Sequence, residues 1–430
     1  MLIEMSLIKN KVADPNDVLF RAMLPQQLAD LSCDYDLVIV GGGIVGLTLA
    51  CALQDSGLRI ALIEAQPHSV AVAKEQAYAI SLLSEKIFRD IGVWNTILPK
   101  IATFRQIRLS DADYPHVVRF LPSDLGTETL GYVAEHSVLL QALQESLSQS
   151  QTVRYLCPAT VTQTLEQGDF TQITVQIQGE VRILRTRLVV AADGSRSPIR
   201  QQAGISTHGW HYWQSCIVAT IQPEKSHQDT AYERFWRSGP FAILPLPENR
   251  CRIVWTAPRQ EAEALVALDD KQFLQELSKR YGNQMGRLSL AGQRYLFPVQ
   301  LMHSARYVLP RLALIGDAAH CCHPVGGQGL NLGIRDAAAL AQVLLTAYQR
   351  GLDIGSLSTL QRYEHWRKWE TLLILGFTDF LNRCFSNNWL PVVVIRRLGL
   401  RALQTIRLLR VLALRLMTGL TGRAPRLTHH

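Results

Sequence analysis

YDLVIVGGGIVGLTLACALQ at residues 35–54, followed by RIALIEA at 59–65, decides the fold of this chain. Tyr35–Val40 is a short apolar run of the kind that forms a parallel strand buried on both faces. Gly43 to Gln54 has helical spacing with small residues, and Arg59 to Ala65 is a second β-branched, apolar run. Strand, glycine turn, helix and strand within about 30 residues make a βαβ unit. The turn carries G-x-G-x-x-G at Gly41, Gly43 and Gly46. Gly41 permits the tight turn, Gly43 lets backbone approach a pyrophosphate, and Gly46 lets the helix pack close to the strand. Gly43-Ile44-Val45-Gly46 opens the helix, where free N–H groups and the helix dipole favour phosphate. Glu64 lies 23 residues after Gly41, at the end of the second strand, where a carboxylate accepts hydrogen bonds from ribose hydroxyls. The motif points to a dinucleotide and leaves open which one.

The composition sets the outer bounds. With 430 residues, 47% of them hydrophobic, the chain folds around at least one large core and is not disordered. None of the eight cysteines forms a C-x-x-C pair, so a reducing compartment is expected and a disulfide framework is not. The first residues, MLIEMSLIKNKVADPNDVLF, are not a secretory signal, because they contain acids and no long apolar run. TLLILGFTDFL (371–381) and WLPVVVI (389–395) fall short of the roughly 18 apolar residues that a spanning helix needs. The net charge of +8 is uneven: residues 380–430 hold nine arginines and no acid. Such asymmetry points to a membrane or nucleic-acid partner.

Two later segments narrow the cofactor. Residues 170–192 read as a hairpin feeding a strand that ends at Asp193-Gly194, within AADGSRSPIR. RLALIGD (311–317) is another buried strand. It leads into AAHCCHP and then Gly326-Gly327-Gln328-Gly329-Leu330-Asn331, which opens a helix at about 330–350. An aspartate at a strand end, Asp317, suits a ribitol hydroxyl. A glycine-rich loop opening a helix presents N–H donors to the N1–C2=O edge of a flavin, where charge gathers on reduction. Residues 211–260 are rich in strands, and the pattern is helical from Leu357 onward.

Taken together, the three segments resemble the group A aromatic hydroxylases, the FAD-dependent monooxygenases that include para-hydroxybenzoate hydroxylase. GDAAHCCHPVGGQGLNLGIRDAAALA resembles more closely the ubiquinone-biosynthesis hydroxylase subfamily. So do YAISLLSEKIFRDIGVW (78–94), LGYVAEHSVLLQAL (130–143) and ERFWRSGPFAILPLP with VWT (233–256). The likeness runs from about residue 35 to about 420. It implies an α/β fold, in which a Rossmann-like FAD-binding domain is interleaved with a mixed β-sheet substrate domain and followed by C-terminal helices. The implied segments are an N-terminal extension (1–33), FAD-binding parts at 34–110, 131–205 and 306–350, substrate parts at 111–130 and 206–305, and C-terminal helices with a basic amphipathic tail at 351–430. FAD would be held tightly without a covalent bond, with NAD(P)H as transient reductant and O2 as oxidant. A C4a-hydroperoxyflavin would hydroxylate an electron-rich ring, such as a prenylated phenol or quinone precursor. Carried over by residue, Gly41, Gly43 and Gly46 would meet the pyrophosphate, Glu64 the ribose and Asp317 the ribitol or pyrophosphate. Gly327 to Asn331 would frame the isoalloxazine, and Asp193 and Gly194 would form the turn between the FAD and NAD(P)H sites. The family usually has an arginine where Gln76 stands in KEQAYAI, so cofactor grip there is in question.

No Ser/His/Asp triad suggests itself; the flavin carries the chemistry. His323 and Pro324 are candidates to approach the reacting edge. His320, Cys321, Cys322 and His323 are too close in sequence to converge on a tetrahedral metal ion, and no metal is expected. Phe235, Trp236, Phe241, Trp255 and Phe297 are candidates for an aromatic pocket or for plain sheet core. On one helix at about 100° per residue, Arg396, Arg397, Arg401, Arg407, Arg410 and Arg415 share one half of the wheel. Leu398, Ala402, Ile406, Leu409, Leu412, Ala413 and Leu416 occupy the other. Two readings follow: a helix lying on anionic lipid, or one packed on the body with solvated arginines. Nucleic acid is not expected, since no binding motif accompanies the charge. The chain is therefore expected to be a cytoplasmic enzyme, with peripheral membrane contact through the Arg396–Arg415 helix as the first of those readings. A halogenase would show a W-x-W-x-I-P segment, which is missing. A prenyl-chain reductase and a non-catalytic FAD-binding scaffold stay open as alternatives.

Overall fold

All of Ile60–Ile63 (β2) and the last four residues of Tyr35–Val40 (β1) are buried, as strands covered on both faces must be. Ile44–Leu53 forms helix α1 between them, with every residue but Val45 buried. In the computed structural model of the chain, residues 33–72, 75–111, 116–282 and 284–427 are described; the N-terminal extension to residue 32 lies outside them. β1 pairs in parallel with β2 on one side and with Glu180–Ala191 on the other. Val153–Leu156 and Leu312–Leu314 extend the parallel sheet at its two sides. The first half of Glu180–Ala191 continues as an antiparallel hairpin with Thr171–Ile177, which pairs in turn with Ala159–Glu166.

The register of this sheet sets the site. Val40 lies opposite both Ile63 and Ala191, and Ala191 lies opposite Leu314. Because the strands are parallel, the segments that leave their carboxyl ends emerge side by side. These are Gly41, Glu64, Ala192-Asp193 and Ile315-Gly316-Asp317, at the kind of crevice where open α/β sheets bind ligands.

A second sheet of nine strands stands beside the first. Its main path runs His320–Cys321, Tyr295–Ser304, Thr207–Pro223, Cys251–Pro258, Gly239–Pro245, Thr230–Trp236, Gln106–Asp111 and Val117–Phe120. Gln106–Asp111 pairs in parallel with Thr230–Trp236. The chain therefore crosses into this sheet before the 110/111 boundary expected from sequence; residues 112–115 lie outside the described part. A small antiparallel sheet, Ala77–Ile80, Gly131–Glu135 and Ala102–Phe104, joins the two. The outer face of the second sheet packs Trp255, Phe241 and Ile253 against Phe273, Leu277 and Tyr281 of the helix Asp270–Tyr281. Its inner face packs Ala231 and Phe235 toward the C-terminal helices, where Phe235 stacks on Phe385 with ring centroids 3.8 Å apart.

Four helices complete the chain: α2 (Gln328–Gln349), α3 (Leu357–Phe385), α4 (Leu390–Thr405) and α5 (Arg407–Thr418). The single helix expected over 396–416 is thus two, because Ile406 is extended at φ −100° and ψ 103°. The arginines form only part of a solvated stripe, with Arg401, Arg407 and Arg415 exposed. Arg396 is buried, donates to Asp111 through Nε at 2.8 Å, and binds the Asn387 carbonyl through Nη1 at 2.7 Å. Arg410 donates to Asp124 Oδ1 through Nε and Nη2, each at 3.2 Å. These acids draw two arginines inward, and part of the apolar surface of the tail is left outside. Leu390, Ile395, Leu398, Leu408 and Leu412 are all exposed.

Helices α2 and α3 are tied to the parallel sheet through one buried carboxylate. Asp336 accepts from His320 Nε2 at 2.6 Å, from Arg367 Nε at 2.8 Å and from the Gly316 N–H at 3.1 Å. Burial alone would raise its pKa, but the adjoining His320 and Arg367 hold the carboxyl below the ordinary value. Removing one partner of such a buried group leaves a charge uncompensated. Replacing Arg367 with Met is expected to destabilise the fold by ~3–5 kcal/mol, read as a fall in unfolding free energy in urea. A variant as stable as the parent would show that Asp336 does not need this partner.

Candidate active site

Backbone crowding shapes the first turn. Gly41 has φ +111°, and a Cβ there would stand 2.2 Å from the Ala192 carbonyl oxygen. A Cβ on Gly46 would stand 2.0 Å from the Gly41 carbonyl oxygen. A Cβ on Gly43 would meet nothing within 4 Å, so the start of α1 is open to the cavity in front of it. Gly43 provides no side-chain cap and the first turn holds no acid, so the leading N–H groups of α1 remain available for an anion. Ile44 contributes backbone only, since its side chain is buried in the core, whereas Val45 lines the cavity. Glu64 is fixed by two backbone donors, Gly42 N–H to Oε2 at 2.7 Å and Gln66 N–H to Oε1 at 2.6 Å, and still forms part of the wall.

The other two segments converge on the same cavity, which has a volume of about 1260 Å³. Asp193, Gly194 and Asp317 line it. Asp193 Oδ2 accepts from the Ile199 N–H at 3.4 Å, and its buried Oδ1 has no partner. Burial raises the pKa of both aspartates. Arg200, to which sequence reasoning gave no role, clamps the two turns together. It donates through Nη1 to the Ala318 carbonyl and through Nη2 to the Ser195 carbonyl, both at 2.8 Å. Gly326 and Gly327 take φ +67° and +59°, so the chain turns sharply before α2. Gly327, Gln328, Gly329, Leu330 and Asn331 all reach the cavity wall. Asn331 straps this turn to the strand Ala77–Ile80: Nδ2 donates to the Ala79 and Gly327 carbonyls at 2.8 Å, and Oδ1 accepts from Ser81 N–H at 2.9 Å. The carboxamide of Gln328 binds the Gly326 and Met417 carbonyls, at 2.8 and 3.1 Å. Gln76 lines the cavity, and its Oε1 accepts from the Tyr78 hydroxyl at 2.5 Å.

The remaining candidates divide between the cavity and the core. His323 is fully buried and packs edge-to-face on Tyr212 at 5.1 Å, and Nδ1 accepts from the Val325 N–H at 3.2 Å. Burial holds its pKa down at about 3, and its buried Nε2 has no partner. Its neighbour Pro324 does face the cavity. Of the aromatic candidates, Phe235 and Phe297 line the cavity. Trp236, Phe241 and Trp255 instead pack on the outer core of the second sheet, as strand alternation dictates. The cysteines beside His323 also turn to the cavity, with burial pushing the Cys322 thiol up to about 12. Among the described residues no three metal-ligating side chains converge.

An open helix N-terminus, a clamped carboxylate at the second strand end, an unpartnered Asp193 oxygen and a glycine turn opening a long helix fit the successive parts of FAD. Charged hydrogen bonds are worth ~1.5–3 kcal/mol, so Glu64→Gln is expected to weaken FAD binding about 10- to 100-fold in fluorescence titration. An unchanged dissociation constant would remove Glu64 from the cofactor site.

Comparison with known proteins agrees with this geometry. Residues 34–370 match the family "FAD binding domain". The chain is 53% identical over 393 residues to the uncharacterized protein slr1300 of Synechocystis sp., covering 91% of this chain and 95% of that one. It is 38% identical over 383 residues to the ubiquinone hydroxylase UbiL of Rhodospirillum rubrum, covering 88% of each. The fold matches the crystal structure of p-nitrophenol 4-monooxygenase PnpA from Pseudomonas putida, with a TM-score of 0.75 and 19% identity over 90% of this chain and 98% of that one. Three strand-end turns built around one cavity, together with a sequence likeness along almost the whole chain, make this protein a member of the FAD-dependent aromatic-ring monooxygenases of the ubiquinone hydroxylase family.

Proposed function

We propose that the protein hydroxylates the ring of a prenylated phenol or quinol precursor, using NAD(P)H and O2. The observation that carries this reading is the continuity of the cavity. It runs from the cofactor turns at Gly43, Asp193 and Asp317 into a chamber walled by Phe104, Leu109, Phe120, Phe235 and Phe297. FAD supplies the redox chemistry and activates O2. The N–H groups of Gly43 to Gly46 would hold the pyrophosphate, Glu64 the ribose and Asp317 the ribitol. Gly327 to Asn331 would offer N–H donors to the flavin ring, which favour negative charge there. Gln76 and the Asp193-Gly194 turn would stand on the wall of the same site. Apolar walls keep water from the reacting edge, as this chemistry requires. Reduction of a prenyl chain, or a scaffold role without turnover, would need the same cofactor turns but would form no new ring C–O bond. Incubation of the holoprotein with NADH or NADPH, ¹⁸O2 and prenylated phenols is expected to place one labelled oxygen on the ring. NAD(P)H consumption with an unlabelled product would favour the reductase alternative.

A lipid surface supplies such a substrate. No helix among the described residues is long and apolar enough to cross a membrane. Trp389, Leu390, Ile395 and Leu398 nevertheless project from α4 and the residue before it, each at least 60% exposed. Arg401, Arg407 and Arg415 are exposed on the same two helices, and no acid follows Asp379. Leu403 of α4 and Leu414 and Met417 of α5 line the cavity. Apolar residues that enter the headgroup region, with arginines beside them, suit anionic lipid. Replacing Trp389, Leu390 and Leu398 with serine is expected to lower co-sedimentation with anionic vesicles at least about tenfold, since each such side chain is worth ~1.5–3 kcal/mol when buried. FAD content should be retained. Undiminished co-sedimentation would exclude this surface.

A further inference from the structure

Four carboxyl side chains stand on the cavity wall among the described residues: Glu64, Asp193, Asp317 and Glu233. The first three sit at strand ends around the cofactor turns. Glu233 lies elsewhere, in the middle of Thr230–Trp236 in the second sheet. Alternation along that strand turns Ala231, Glu233 and Phe235 to the chamber, while Trp236 packs on the outer core and Tyr232 touches both that core and the cavity wall. Its neighbours across the sheet are Leu109 and Ala242, both apolar and both on the chamber wall. Among the described residues no hydrogen bond or ion pair meets its carboxyl. An acid placed among phenylalanines and leucines costs stability unless a hydrogen-bond donor meets it there, and the chamber in front of it is the space a substrate ring would occupy.

The titratable groups on the same face of the packed elements do not provide that partner. Cys216, on Thr207–Pro223, has its thiol pushed up to about 12 by burial and is neutral. Asp111, two residues beyond Leu109, is matched by Arg396, with Arg397 also near it at 3.9 Å. Arg252 donates to the Glu75 carbonyl at 3.1 Å. Cys384 near the end of α3 has its thiol raised by burial.

We propose that Glu233 is a catalytic residue that accepts the hydrogen bond, and then the proton, of the substrate's ring hydroxyl. The O–H bond breaks toward a carboxylate oxygen of Glu233, and the electron pair stays on the ring oxygen, which enriches the carbons ortho and para to it. Oxygen transfer leaves a dienone whose sp3 carbon releases its own proton to solvent; the ring oxygen then takes its proton back from Glu233 as aromaticity is restored, so Glu233 ends as it began. One contact thereby selects a phenol and fixes which ring carbon faces the flavin. Burial raises the carboxyl to about 8. In the free enzyme it is therefore mostly protonated at pH 7 and becomes the acceptor as pH rises through that value, which predicts an alkaline rise in kcat/KM.

This inference rests on the ring-hydroxylation reading, and the experiment separates the two. In the FAD-loaded full chain, 2-prenylphenol and its methyl ether are compared as ligands, and product formation from the phenol is followed from pH 6 to 9. The parent is expected to bind the phenol at least about tenfold better than the ether, because a site built to pair a hydroxyl rejects an analogue without one. Glu233→Leu is expected to lose that preference. Glu233→Gln is expected to keep FAD and to lose both the rise near pH 8 and about 100-fold in kcat/KM. A Glu233→Gln enzyme with the parent's pH profile and rate, or a Glu233→Leu enzyme with the parent's preference, would overturn the proposal. If Glu233→Leu fails to bind FAD, the isosteric Gln variant decides. If the parent forms no hydroxylated ring, the hydroxylation reading fails, and the preference between phenol and ether still tests Glu233.

Discussion

A helix N-terminus can hold a pyrophosphate only if no side chain stands between its N–H groups and the phosphate oxygens. That constraint organises the rest of this molecule. It demands glycine at 41, 43 and 46 for three separate reasons: a positive φ pressed against the Ala192 carbonyl, an open face, and a contact of helix on turn that leaves no room for a Cβ. Close packing of the turn on Ala192 in turn requires Glu180–Ala191 to be the neighbour of β1, and so brings Asp193 to the same crevice. Leu312–Leu314 brings Asp317 there by the same parallel register. The cofactor site is thus a consequence of strand order, with each turn's chemistry placed by the strand that precedes it.

What lies behind those turns was not legible in the sequence. Arg200 sits in a run read for its Asp-Gly pair, yet it is the side chain that links two turns more than a hundred residues apart in sequence. Asp336 lies in an unremarkable stretch of α2, and its value as the junction of His320, Arg367 and Gly316 arises only when three elements meet. Local pattern reports backbone needs well, because a glycine requirement or a buried strand is written in a few adjacent residues. It reports long-range pairing poorly, because an arginine looks alike whether it is solvated or clamped between carbonyls. His323 shows the same limit in reverse. Its place beside a glycine-rich turn suggested chemistry, but one residue's shift along the loop turns its ring to Tyr212 and leaves Pro324 and Cys322 to face the cavity.

The tail illustrates how tertiary charge overrides a helical wheel. The sequence separates arginines from leucines correctly, and the expectation that an arginine face points outward follows from solvation alone. Asp111 and Asp124 reverse part of it by taking Arg396 and Arg410. The exposed leucines and tryptophan that result would be a liability in water, and they lie on the same two helices that close the chamber. The exposed apolar patch and part of the chamber wall are therefore carried by the same two helices.

The most direct measurement of the central claim is a crystal structure of the protein with FAD and a prenylated phenol bound. The account predicts a pyrophosphate at the start of α1, a flavin ring beside Gly327–Leu330, and the phenol in the chamber with its hydroxyl on Glu233 and its prenyl chain directed toward α5. A flavin bound with its ring away from the chamber, or a phenol bound outside it, would contradict the account.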